Sequence, residues 1–194
     1  MNLPNKLTLG RILLVPFFVA VLLIPFPLHN LIALALFGVA SITDMFDGKI
    51  ARKRHLITDF GKFADPLADK ILVLAAMLCF IQNGLCDCVA VIIVLIREFT
   101  VISIRLIAAA KGEVIAANKW GKVKTVTQMT AVIAILVMQS VCDIIILCTG
   151  AQVSPALNQT FFIIGEILIW ISTVFAVISG VIYVKQNIKF ISEI

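Results

Sequence analysis

Charge is scarce in this chain. Asp, Glu, Lys and Arg make up 14% of its 194 residues, against about 25% in a typical soluble domain. So few charges cannot cover a globule in water, which excludes a freely soluble enzyme and makes lipid the expected solvent. The 61% hydrophobic content and mean hydropathy of +1.11 agree. No internal repeat or low-complexity tract is evident. No small-residue cleavage site follows the first apolar run, Ile12 to Ile24; Pro25-Phe26-Pro27 ends it instead. That run is therefore expected to be a retained span rather than a removed signal. Zinc spacing is missing as well. The five cysteines, Cys79, Cys86, Cys88, Cys142 and Cys148, are odd in number and are expected to act as small apolar filler.

What is present is a series of apolar runs. A hydrocarbon core about 30 Å thick needs about 20 helical residues. Six segments qualify: Thr8–Phe26, Asn30–Ala51, Phe63–Gln82, Cys88–Ala110, Thr125–Cys148 and Leu157–Val184. The expected fold is all-α, a polytopic membrane protein of six transmembrane helices behind a short N-terminal cytoplasmic segment, forming one domain over residues 1–194. Lys6 and Arg11 precede the first span, and Lys49 to Lys70 gather between the second and third. Lys111 to Lys124 lie between the fourth and fifth, and Lys185 and Lys189 follow the sixth. The three intervening loops, around 25–30, 83–87 and 149–156, carry no Lys or Arg. By the positive-inside rule both termini and the basic loops face the cytoplasm.

Against this apolar background four aspartates stand out. The segment reads Asp44-Met-Phe-Asp47-Gly48-Lys-Ile-Ala51-Arg52, then eight residues, then Gly61-Lys-Phe-Ala-Asp65-Pro-Leu-Ala-Asp69. A carboxylate near hydrocarbon is costly unless a cation neutralises it. Four together imply a bound hard, oxygen-liganded cation. Asp44 and Asp47 are spaced i, i+3, and Asp65 and Asp69 i, i+4, so each pair shares a helix face. The short connection makes the two helices antiparallel neighbours with their carboxylates at one depth. Pro66 is expected in the first turn of the third helix, where proline is tolerated. Gly48 and Gly61 allow close backbone approach, and Arg52 can fork onto phosphate oxygens. Together these residues suit a pyrophosphate-bearing ligand. The structural alternative pairs Asp44 and Asp47 with Lys49, Arg52 or Lys62 and leaves Asp65 as a helix cap.

This segment resembles the signature of the CDP-alcohol phosphatidyltransferases, D-x2-D-G-x2-A-R-x8-G-x3-D-x3-D, at each of its eight fixed positions. The resemblance implies a homodimer of six-helix subunits in a bacterial inner membrane, with the active site and both termini cytoplasmic. It implies two Mg²⁺ or Mn²⁺ ions. Asp44, Asp47, Asp65 and Asp69 are implied as metal ligands, and Asp69 also as the base that deprotonates the acceptor alcohol. Gly48, Arg52 and Gly61 are implied in the CDP pocket. The implied partners are CDP-diacylglycerol, an alcohol and membrane lipid, with no nucleic acid.

The acceptor must be read elsewhere. Arg97 and Arg105 lie within the fourth span, and intramembrane arginines are functional candidates by default. Glu98 offers Arg97 an ion pair instead, and Arg105 could snorkel to lipid headgroups. Lys119, Lys122 and Lys124 enter the fifth span from the same side. This positive charge suits a phosphorylated alcohol better than free serine or choline. Three blocks are similar to family members that use glycerol 3-phosphate: Asn2–Arg11, Arg97-Glu98-Phe99 with Arg105–Ala109, and Gly121–Met129. Ser103-Ile104 departs from the glycine often found there, a difference that bears on local packing. The expected reaction joins CDP-diacylglycerol to sn-glycerol 3-phosphate, giving phosphatidylglycerophosphate and CMP. A sister enzyme using inositol phosphate or phosphatidylglycerol is the alternative, and a divalent-cation transporter is the rival from another class. Asn5, Thr8 and Arg11 are further candidates on the cytoplasmic side, with an N-cap as the plain alternative for Thr8.

Overall fold

The computed structural model describes the backbone of residues 3–54, 59–113, 115 and 118–190; within these, side chains 3–7, 44–54, 59–67, 69 and 190 are not described. The described residues form six α-helices, a short 3-10 turn and no strand. The helices are α1 (Leu3–Leu23), α2 (His29–Arg54), α3 (Asp59–Gln82), α4 (Cys88–Ala110), α5 (Lys119–Thr149) and α6 (Pro155–Gln186). All six expected segments are helical, and α4 matches its expected bounds at both ends.

The helix ends are set by local chemistry. Asp87 caps α4 by accepting from the backbone N–H of Val89 at 3.2 Å. Asn118 does the same for α5, accepting from Trp120 N at 2.6 Å. Gly150 closes α5 with φ +66°, a left-handed conformation in which a Cβ would be strained. Ser154 and Pro155 then open α6.

Two expectations about helix starts fail. Helix α3 begins at Asp59, so Pro66 stands two turns inside it and Asp65 is no cap. An acidic residue at the first position favours that earlier start. Likewise α1 begins at Leu3, so Thr8 lies within the helix and cannot be its N-cap.

Helix α1 packs against both α2 and α3, α2 also packs against α5, and α6 packs against both α4 and α5. The expected neighbouring of α2 and α3 around the aspartates falls on side chains 44–54, 59–67 and 69, outside those described. One apolar core runs through α1 to α6, around Phe18, Phe37, Met77, Phe80, Val94, Leu136 and Ile169. Ile104 packs with Val101 and Tyr183 in a smaller cluster, so the departure at Ser103-Ile104 is accommodated by a buried contact to α6.

The outer surface inverts the soluble pattern. Phe17, Ile96, Phe99 and Val126 are exposed, whereas Arg11, Glu98, Lys124, Gln128 and Thr173 are buried. Helices α5 and α6 are each long and apolar enough to cross a bilayer. Helix α4 is comparably apolar but carries three charged residues, Arg97, Glu98 and Arg105, within its 23 residues.

Candidate functional site

Helices α4 and α5 make little direct contact, although both pack on α6. The gap between them is a cavity of about 610 Å³. Its walls come from four helices: Lys70, Val73 and Leu74 of α3, Arg97, Glu98, Val101 and Arg105 of α4, the first three turns of α5 with the Asn118 cap, and Ser179 and Tyr183 of α6. On α4, residues 97, 101 and 105 recur every four positions, so helical geometry alone lines them along one side.

Long polar side chains bridge the gap. The carboxylate of Glu98, 2% exposed, forms an ion pair with Lys124 of α5. It accepts a hydrogen bond from Arg97 Nη1 at 2.8 Å and lies 3.9 Å from Lys70 Nζ of α3. Arg97 Nη2 donates to Ser179 Oγ at 2.6 Å. Arg105 Nε donates to the Tyr183 hydroxyl at 3.2 Å, with its guanidinium 5.7 Å from the centre of that ring. Gly180 makes the α4–α6 approach possible, since a Cβ there would stand 2.9 Å from Arg97 Cγ.

Among the described residues the cavity gathers five basic side chains, Lys70, Arg97, Arg105, Lys122 and Lys124, around the carboxylate of Glu98. Lys124 is buried, Lys70, Arg97 and Arg105 are partly buried and Lys122 is exposed. Like charges repel the more strongly the lower the dielectric around them. Such an excess, beside open space, is the arrangement that recognises an anion. A phosphate monoester has the charge and the acceptor oxygens to use it.

Of the residues expected at an acceptor site, Arg97, Arg105, Lys122 and Lys124 line this cavity. Arg97 and Lys124 are also ion-paired to Glu98, so both the ion pair and the cavity position hold for Arg97. Lys119, the first residue of α5, is exposed and outside the lining. Thr8 and Arg11 are buried in α1, each with a partner, and neither lines the cavity. The side chain of Asn5 lies outside the described residues.

The aspartate segment is helical where the spacing required it: Asp44, Asp47, Gly48 and Arg52 lie on α2, and Gly61, Asp65 and Asp69 on α3. Their side chains lie outside those described, and among the described residues no three His, Cys, Asp or Glu groups converge. The donor set itself, four carboxylates at i, i+3 and i, i+4 on helical backbone, has the chemistry of a hard divalent cation. Asp69 immediately precedes Lys70 and stands one turn before Val73, both of which line the cavity. The cysteines carry no such chemistry. Cys86, in the connection between α3 and α4, is buried, and burial, aided by the nearby Glu166 and Asp87 carboxylates, pushes its thiol up to about 12.

Sequence reasoning missed Lys70, Asn118, Ser179 and Tyr183. In the sequence Lys70 is one of several basic residues of the cytoplasmic charge cluster. Ser179 and Tyr183 did carry a signal: they are polar residues at i, i+4 on an otherwise apolar helix.

Comparison with known proteins places these observations. Residues 1–178 match the family model described as CDP-alcohol phosphatidyltransferase. Relatives named CDP-diacylglycerol–glycerol-3-phosphate 3-phosphatidyltransferase include one from Bacillus subtilis, 39% identical over 96% of this chain and 95% of its own length. One from Rickettsia bellii is 36% identical over 97% of each chain. One from Haemophilus influenzae is 39% identical over 67% of this chain and 72% of its own length.

Proposed function

This chain belongs to the CDP-alcohol phosphatidyltransferase family, and from that premise we propose how its residues divide the work. It transfers the phosphatidyl group from CDP-diacylglycerol to sn-glycerol 3-phosphate, giving phosphatidylglycerophosphate and CMP. One observation supports the assignment of the acceptor to a specific place. Among the described residues the cation-lined cavity includes Lys70 of α3, the residue after Asp69.

The donor binds at the aspartate segment, where Gly48 and Gly61 let its pyrophosphate approach the backbone and Arg52 forks onto it. Asp44, Asp47, Asp65 and Asp69 would hold Mg²⁺ or Mn²⁺, which when bound supplies charge neutralisation for the pyrophosphate. The phosphate of the acceptor enters the cavity against Arg105 and Lys122, with Arg97 and Lys124 beside them, leaving its primary hydroxyl directed toward α3. Asp69 takes the proton of that hydroxyl. The freed oxygen attacks the phosphorus that carries diacylglycerol, a new P–O bond forms, and the P–O bond to CMP breaks. CMP departs with the bonding electrons.

The chain acts as a single domain of six membrane spans, with the basic loops, both termini and the cavity on the cytoplasmic face. Support comes from the exposed apolar surface, the two long apolar helices and the distribution of Lys and Arg. Lipid tails would then reach the site laterally while the soluble acceptor arrives from water. A homodimer is the assembly the family resemblance implies.

The test is CMP release by purified protein in detergent with CDP-diacylglycerol and Mg²⁺ or Mn²⁺. The acceptor panel is sn-glycerol 3-phosphate, inositol phosphate, phosphatidylglycerol and serine. Release with glycerol phosphate and not the others is expected; release with another acceptor only would overturn the reading.

A further inference from the structure

Glu98 has the wrong sign for a phosphate pocket, yet it lines the cavity and is almost wholly buried. A lone buried carboxylate beside an anionic ligand costs affinity unless it does something for the cations around it. Its contacts show what that is. Lys124 reaches it from α5, Arg97 from the adjoining position on α4, and Lys70 stands 3.9 Å away on α3. These three cations come from three helices, and Glu98 is the one anion they share among the described residues.

Without it, Arg97 and Lys124 would repel one another across a low-dielectric gap. Lys124 has a flexible four-carbon stem and would leave the cavity wall. Helices α4 and α5, which have little packing of their own, would lose the bridge between them. Arg97 would keep only its bond to Ser179.

We infer that Glu98 is a positioning residue for acceptor binding, holding Lys124 and Arg97 in the geometry that receives the phosphate without touching the substrate. This rests on the cavity being the glycerol phosphate site. The inference has a sign that separates it from simple charge effects. If Glu98 only diluted the positive field, its removal would tighten phosphate binding. If it positions the cations, its removal weakens binding although the pocket becomes more positive.

The experiment is steady-state CMP release by wild type, Glu98→Gln and Glu98→Asp, with each substrate varied in turn. Glu98→Gln is expected to raise KM for glycerol phosphate about tenfold or more, with KM for CDP-diacylglycerol changed less than about twofold. Glu98→Asp keeps the charge one methylene short and is expected to recover part of that loss. An unchanged or lowered KM for glycerol phosphate in Glu98→Gln would overturn the inference, as would an equal rise for both substrates. If Glu98→Gln does not fold, Glu98→Asp alone is read on the same split between the two substrates. Wild type that releases no CMP with glycerol phosphate would instead sink the assignment of the acceptor.

Discussion

Glu98 and Asp143 are both acidic side chains held between helices, but their surroundings differ. Asp143 lies about 28 Å along α5 from Lys124 by helical rise. Its two oxygens accept from the backbone and side-chain nitrogens of Asn30 at 3.0 and 3.1 Å, and the His29 ring lies 3.6 Å away. There the carboxylate is matched by donors from the start of α2. At Glu98 the described cations outnumber the described carboxylate, and about 610 Å³ stays open beside them. A matched cluster fastens two helices together. A cation-rich one with space beside it has the chemistry to receive an anion.

The largest expected effect lies next to the unmatched end. Asp69→Asn keeps the side chain's size and removes the base, so kcat should fall by about 10²- to 10⁴-fold. Binding of CDP-diacylglycerol, followed by equilibrium binding in detergent, should persist. Near-normal turnover would remove Asp69 from the proton transfer and leave the cavity without a reactive neighbour on α3.

Arg105→Ala comes next. Its guanidinium is oriented by Tyr183 and faces the cavity with no carboxylate against it among the contacts of the described residues. Losing a charged hydrogen bond of about 1.5–3 kcal/mol corresponds to a rise of about 10- to 100-fold in KM for glycerol phosphate. KM for CDP-diacylglycerol should change little. An unchanged KM for glycerol phosphate would mean that Arg105 serves α6 packing alone.

These two residues were unequally legible. Asp69 stood out because four carboxylates at fixed spacing have few structural explanations in an apolar chain. Arg105 stood out because a span should not contain an arginine without a use. Their helices were legible too, since α4 begins at the Asp87 cap and the apolar runs set the rest. What could not be read was the lateral order of helices. Nothing in the chain foretold that α1 packs against both α2 and α3. Hydrophobicity alone does not choose neighbours among equally apolar helices. The same limit hid the α6 wall: Ser179 and Tyr183 gain meaning only when α6 lies against α4.

Gly180→Ala probes that wall with a single methyl group. The added Cβ would meet Arg97 Cγ at 2.9 Å, and Arg97 is held at both ends of its guanidinium. Overpacking of this kind costs about 1–3 kcal/mol. Here it should displace Arg97 from Ser179 and raise KM for glycerol phosphate by about 3- to 10-fold, read in the same assay. An unchanged KM with lowered thermal stability would show that α6 braces the fold without shaping the pocket.

The smallest effect on catalysis is expected at the matched end. Asp143→Ala removes both acceptors from Asn30, leaving a backbone N–H at the start of α2 and a side-chain amide without those partners. Loss of such a capping interaction costs about 0.5–2 kcal/mol. The thermal midpoint in detergent should fall by a few degrees, while KM for glycerol phosphate and kcat stay at wild-type values. The physical reason is distance: about 28 Å of intervening helix separates this cluster from the cavity, and a local fastening has no second packing arrangement to transmit. A raised KM for glycerol phosphate in Asp143→Ala would break the comparison, because the two ends of α5 would then act as one coupled unit rather than as a fastening and a site.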